Sequence, residues 1–115
     1  MSIKIKNIQE IAQEKAQLGI VERIALKPEE TLSKSAKLTH LVIEVGRSFE
    51  SKARDQETIY FVLSGHAIVT VNMPNGSWDR ELSADSAAWI PSGFTHNIKN
   101  NGEGPLRVLQ AMCKV

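Results

Sequence analysis

The chain has a single cysteine, Cys113, so it cannot close an internal disulfide, which fits a reducing compartment. Neither sign of charge is in excess: 14 Lys and Arg stand against 13 Asp and Glu, a net charge of +1. That balance supplies no electrostatic basis for nucleic acid or an anionic membrane as a partner. No apolar run approaches the ~20 residues needed to span a bilayer. The opening stretch, MSIKIKNIQEIAQEKAQ, is broken by charges every few residues and lacks the apolar segment of a signal peptide. Repeats, low-complexity tracts and linkers are missing as well. What these absences leave is a soluble, cytoplasmic chain of 115 residues, 42% hydrophobic and 23% charged. That length is enough for one domain over 1–115 with its own core and too short for two.

One segment reads as a helix. In NIQEIAQEKAQLG, Asn7 suits an N-cap, Ile8, Ile11 and Ala12 fall on one stripe with Lys15 and Ala16 as its continuation, and Gly19 suits the C-terminal stop. From Ile20 onward the signal is strands: IVERIAL, KLTHLVIEV, TIYFVLS, AIVTVNM, WDREL, AAWIP, HNIKN and PLRVLQAM, roughly ten residues apart. Turn chemistry separates them, with Asn75-Gly76 the clearest hairpin signal. Many short strands at even spacing predict an all-β sandwich or barrel.

Two motifs narrow the fold. Gly46 is followed, after five residues, by Lys52, then by Arg54, Thr58 and Gly65 at fixed separations. Further on, Asp85, Pro91, Gly93, His96 and Asn100 fall in the spacing of G-x5-P-x-G-x2-H-x3-N, with Asp85 at the leading glycine. Together these make the chain resemble the cupins, small double-stranded β-helix (jelly-roll) barrels. The resemblance runs from about Lys37 to Met112, with the helix and a first strand in about 1–36. Period-2 alternation places Thr58, Tyr60 and Val62 on one face of their strand, and the cupin arrangement turns that face into the barrel. It implies a structural role for Asn100 at the turn before the last strand.

Cupins typically hold a first-row metal with three imidazoles and a carboxylate, and only His96 of that set is present. Lys52, Arg54 and Thr58 occupy the other positions, and charged Lys or Arg repels a cation at short range. The reading that follows is a cofactor-free cupin that binds a small molecule. An anionic metabolite would be held by Lys52 and Arg54, with Thr58 and His40 contributing and Trp89 or Phe94 as an apolar wall. By resemblance to metal-independent isomerases and epimerases of this fold, His96 and Tyr60 are the candidate catalytic acid–base pair. The alternative is a metal-dependent oxygenase or isomerase, with a divalent transition metal on His96 and His40. In that reading His40 points inward with Leu38 and Val42, and Glu57 and His66 are the other candidate ligands. A third reading is an interaction module with a lumen filled by Tyr60, Trp89 and Val62. Each residue also has a plainer role: Lys52 and Arg54 as a solvated loop, His40 as a strand histidine, Cys113 as a small buried hydrophobe. Small cupins commonly form homodimers. TIYFVL, apolar on both faces, needs a second cover from either the N-terminal helix or a partner subunit.

Overall fold

The computed structural model describes residues 3–30, 35–52 and 55–114. Among them ten strands form two antiparallel sheets. They are β1 (Glu14–Gln17), β2 (Ile20–Leu26), β3 (Ala36–Ile43), β4 (Ser48–Ser51), β5 (Gln56–Ser64), β6 (His66–Met73), β7 (Gly76–Ser83), β8 (Ala87–Ile90), β9 (His96–Asn100) and β10 (Leu106–Lys114). One sheet has six strands in the order β1-β2-β3-β10-β5-β8, and the other has four in the order β4-β9-β6-β7. The sheets face each other over a core of Leu41, Ile43, Tyr60, Val62, Val69, Val71, Ile98, Leu106 and Val108, all buried.

The expected helix is not present. Asn7 does cap a helical turn, its side chain accepting from the Gln9 N–H at 2.8 Å, but the turn is 3-10 and ends after Ile8–Glu10. The rest becomes β1, which pairs with β2 across the two-residue turn Leu18–Gly19. Gly19 has φ +74°, and this left-handed conformation serves a tight hairpin as well as a helix stop. Of the residues on the expected helical stripe, Ile8, Ile11 and Ala12 are not fully buried, and Ala16, now in β1, packs on the core. Gln17 then bridges to the other sheet: its amide donates to Glu50 O at 3.0 Å and accepts from Glu50 N at 3.1 Å.

The turns explain one motif glycine and one exception. A Cβ on Gly65 (φ +99°) would lie 3.0 Å from the Pro105 carbonyl oxygen. Asp85, at the position of the second motif's leading glycine, adopts φ +68°, a conformation that Asp tolerates better than most residues. Asn100 is fully buried and works as a clamp. Its Nδ2 donates to the carbonyls of Ile43 and Gly104, each at 2.8 Å, and its Oδ1 accepts from the Gly102 N–H at 2.9 Å. One side chain thereby ties the turn before β10 to the end of β3. Asn100→Ala strands these three backbone groups, and urea unfolding should show a loss of about 2–4 kcal/mol with an unchanged m-value.

Candidate functional site

Alternation along β5 turns Thr58, Tyr60 and Val62 inward, all buried, and leaves Ile59 and Phe61 outside. Tyr60 pairs in register with Gln110 of β10, and Gln110 in turn with Thr39 of β3, so a polar row crosses the inner face of the six-stranded sheet. His96, 3% exposed, faces it from the first position of β9 in the other sheet, beside Ser51. A hydrogen-bond chain joins them. Gln110 Nε2 donates to Tyr60 Oη at 3.1 Å, and Tyr60 Oη lies 2.8 Å from His96 Nε2. The two rings meet edge to face, 5.4 Å between centroids. If the phenol donates to Nε2, the imidazole proton sits on Nδ1; in the other tautomer Nε2–H donates to Tyr60. In both, His96 Nδ1 is a buried polar atom with no hydrogen-bond partner among the described residues, as is Thr39 Oγ1.

Burial sets the charge states. Desolvation lowers the His96 pKa to about 4, so the imidazole is neutral at pH 7. Desolvation also raises the Tyr60 phenol well above its ordinary value, only partly opposed by the hydrogen bond from Gln110, so the hydroxyl keeps its proton. The pair consists of a neutral base and a neutral acid held apart in pKa by their surroundings.

At the same end of the four-stranded sheet is a depression of about 410 Å³, lined by Glu50, Ser51, Lys52, Asn72, Thr95, His96 and Asn97. Lys52 is exposed and shares this depression with His96. Arg54 lies outside the described residues. Phe94 is half-buried and packs on the core.

Two candidates are placed elsewhere. His40 is buried but faces outward: its strand turns Thr39, Leu41 and Ile43 to the lumen and Leu38, His40 and Val42 to the other side of the sheet. His40 and His96 therefore cannot converge on one ion, which removes the divergent metal pair. Glu57 alternates outward, away from the lumen, and His66 is exposed, so neither joins His96 as a ligand. No group of three or more His, Cys, Asp and Glu that could hold a metal occurs among the described residues. With one imidazole, Thr58 and Lys52 at the motif positions, this lumen does not fit a transition metal. Trp89 is also corrected: it is 61% exposed, because Ile90, paired with Thr58, takes the inward position and turns Trp89 out beside Ile59. The lumen filled by Tyr60, Val62 and Trp89 falls with it. Cys113 is exposed near the end of β10, not buried.

Sequence reasoning missed Gln110, Thr39 and Ser51. Gln110 had a signal: it shares the parity of Leu106 and Val108, making it the one polar member of an otherwise apolar inward series on β10.

The depressed His96 pKa has a consequence for stability. Below pH 6.5 the unfolded chain takes up a proton that the folded His96 refuses until about pH 4. Stability contributed by neutral His96 is therefore complete above pH 6.5 and is lost on acidification toward pH 4, by up to about 3 kcal/mol. His40, lowered by desolvation and by Arg107 and Arg23, acts in the same direction. Denaturant titrations from pH 7.5 to 4 should show the slope, and His96→Gln should flatten it without removing the part due to His40.

The family model described as "Cupin domain" matches residues 39–112. An uncharacterized protein of Streptomyces coelicolor is 31% identical over 67 residues, covering 58% of this chain and 59% of that protein, so the match spans less than two-thirds of this relative. Among solved structures, a predicted oxalate decarboxylase from Thermotoga maritima superposes with TM-score 0.84 at 20% identity, covering 97% of this chain and 100% of that one. KdgF from Halomonas sp. superposes with TM-score 0.80 at 16% identity, covering 99% and 96%. At such identities the likeness is one of fold alone. Among the described residues no helix is long and apolar enough to cross a membrane.

Proposed function

The chain belongs to the cupin domain family, and we propose that it is a small-molecule-binding cupin that works without a metal on a compact anionic ligand. The observation that carries this reading is the shared depression: Lys52 at its rim and His96 at its floor line one concavity of about 410 Å³. Its size suits a metabolite, and its lining supplies a few convergent polar groups. The Lys52 ammonium is complementary to a carboxylate or phosphate. Ser51 adds a hydroxyl beside His96.

Turnover, in this reading, is acid–base chemistry of the isomerase or epimerase kind. In the tautomer whose Nε2–H donates to Tyr60 Oη, His96 Nδ1 has a free lone pair and accepts a proton from the ligand. Tyr60, kept protonated by burial, holds the imidazole in place with Gln110 behind it. Thr58 and Thr39 line the lumen as neutral groups, and Glu50 is the other charged residue in the lining of the depression beside Lys52.

Melting curves with a panel of small carboxylates and sugar phosphates test this. At least one should raise the midpoint, by roughly 10 °C at a hundredfold excess over its Kd. The shift should vanish in both His96→Ala and Lys52→Ala. A panel with no effect, or a shift indifferent to both substitutions, rejects the lumenal anion site.

We also propose a homodimer through the outer face of the six-stranded sheet. Ile59, Phe61 and Trp89 are exposed there at 45%, 37% and 61%. The N-terminal segment lies at the far edge of the sheet as β1 and leaves this part of β5 and β8 uncovered. Sedimentation should give the mass of two chains for the parent and one for Trp89→Lys; a monomeric parent would refute the dimer.

A further inference from the structure

The outer face of the six-stranded sheet carries a second feature, unconnected to the lumen. Register places Arg23 of β2 directly opposite His40 of β3, and His40 opposite Leu109 of β10. Arg107, two residues before Leu109, shares its face and reaches across to His40 at 3.2 Å between Nη2 and Nε2. A guanidinium can only donate, so Nε2 of His40 is the acceptor and the imidazole proton is on Nδ1. That Nδ1–H is buried and has no partner among the described residues. The same holds for Nε–H of Arg23. His40 itself is only 2% exposed.

The charge count points the same way. Neither Arg23 nor Arg107 makes an ion pair among the described residues. Both guanidiniums act on His40, lowering its pKa alongside the desolvation of the ring. The corner therefore holds two positive charges, a neutral imidazole and two buried N–H groups without acceptors. A buried donor left unmatched costs free energy, and an oxygen anion removes that cost while answering the charge. A cation is excluded on the same grounds.

We infer that Arg23, His40 and Arg107 form an oxyanion-binding notch on the outer face of the six-stranded sheet, suited to a carboxylate or phosphate group. The apolar row that continues from it, Leu109 and Phe61 in register with His40, gives the anion a low-dielectric wall on one side. The oxyanion has two possible sources, a free anion or an acidic side chain of a second copy of this chain.

The test is a titration of the full-length protein with inorganic phosphate at constant ionic strength, followed by NMR of the His40 ring and the Arg23 Nε–H. The expected result is a saturable shift of both, with affinity about tenfold weaker in Arg107→Gln, an exposed substitution that spares the core. Arg23→Gln should weaken it similarly, and His96→Ala should leave it intact, which separates this site from the lumenal one. A linear, non-saturating response, or unchanged affinity in Arg107→Gln, overturns the notch. Sedimentation in the same phosphate series identifies the source. Dissociation of a dimer that tracks the His40 shift assigns the native oxyanion to the second copy, and saturation at unchanged mass assigns it to a free anion.

Discussion

Everything in the lumen depends on β10 lying between β3 and β5. That strand is hydrogen-bonded along both edges, and its register sets Gln110 opposite Thr39 on one side and Tyr60 on the other. A slip of one residue would send Gln110 outward and bring Leu109 in, exchanging a polar row for an apolar one. With the register as it is, Leu106 and Val108 supply burial, and Gln110 brings an amide into a place without water. The amide is satisfied by Tyr60 Oη, and Tyr60 by His96 on the opposite sheet. One register thus underlies the Tyr60–His96 hydrogen bond that joins the two sheets, and leaves Nδ1 of the imidazole without a partner among the described residues.

The two buried histidines show how neighbours, more than burial, decide what a group can do. Both have pKa values lowered chiefly by desolvation. His96 lies against a phenol that keeps its proton, so no charged neighbour acts on its ring and desolvation alone sets its pKa. His40 lies among guanidiniums, so any proton added to it would face two positive charges. The first ring thus has only neutral neighbours, and the second has two cations acting on it. Their separation to opposite faces of one sheet keeps these electrostatic environments distinct.

Parity was legible where one face of a strand is more apolar or is pinned by a motif. Thr58, Tyr60 and Val62 were placed inward because Gly65 and the motif spacing fix their phase. On β3 both parities contain β-branched and leucine side chains, so KLTHLVIEV alone does not say whether Thr39 or His40 looks inward; only pairing with β10 decides. Trp89 differs from its expected place as an apolar wall for a related reason: AAWI is too short to show its own parity, and Ile90 opposite Thr58 fills the inward position. The N-terminal error came from Gly19, whose left-handed backbone serves a helix end and a two-residue hairpin alike. Short strands near an edge give little periodicity to separate the two.

The backbone requirements of this fold are separable from its chemistry. Gly65, the left-handed Asp85 and the Asn100 clamp act on turns, through sterics and main-chain hydrogen bonds, and none of them touches the Tyr60–His96 pair. Conversely, nothing in the sheet pairing requires a histidine at Lys52 or a carboxylate at Thr58: Lys52 is exposed, and Thr58 fits its inward slot as a small β-branched residue. A change of residue at such positions costs the barrel little, whereas losing Asn100 would release both β3 and the turn into β10. The turns therefore hold the scaffold to the family's pattern, while positions 52 and 58 place no demand on the pairing of the strands.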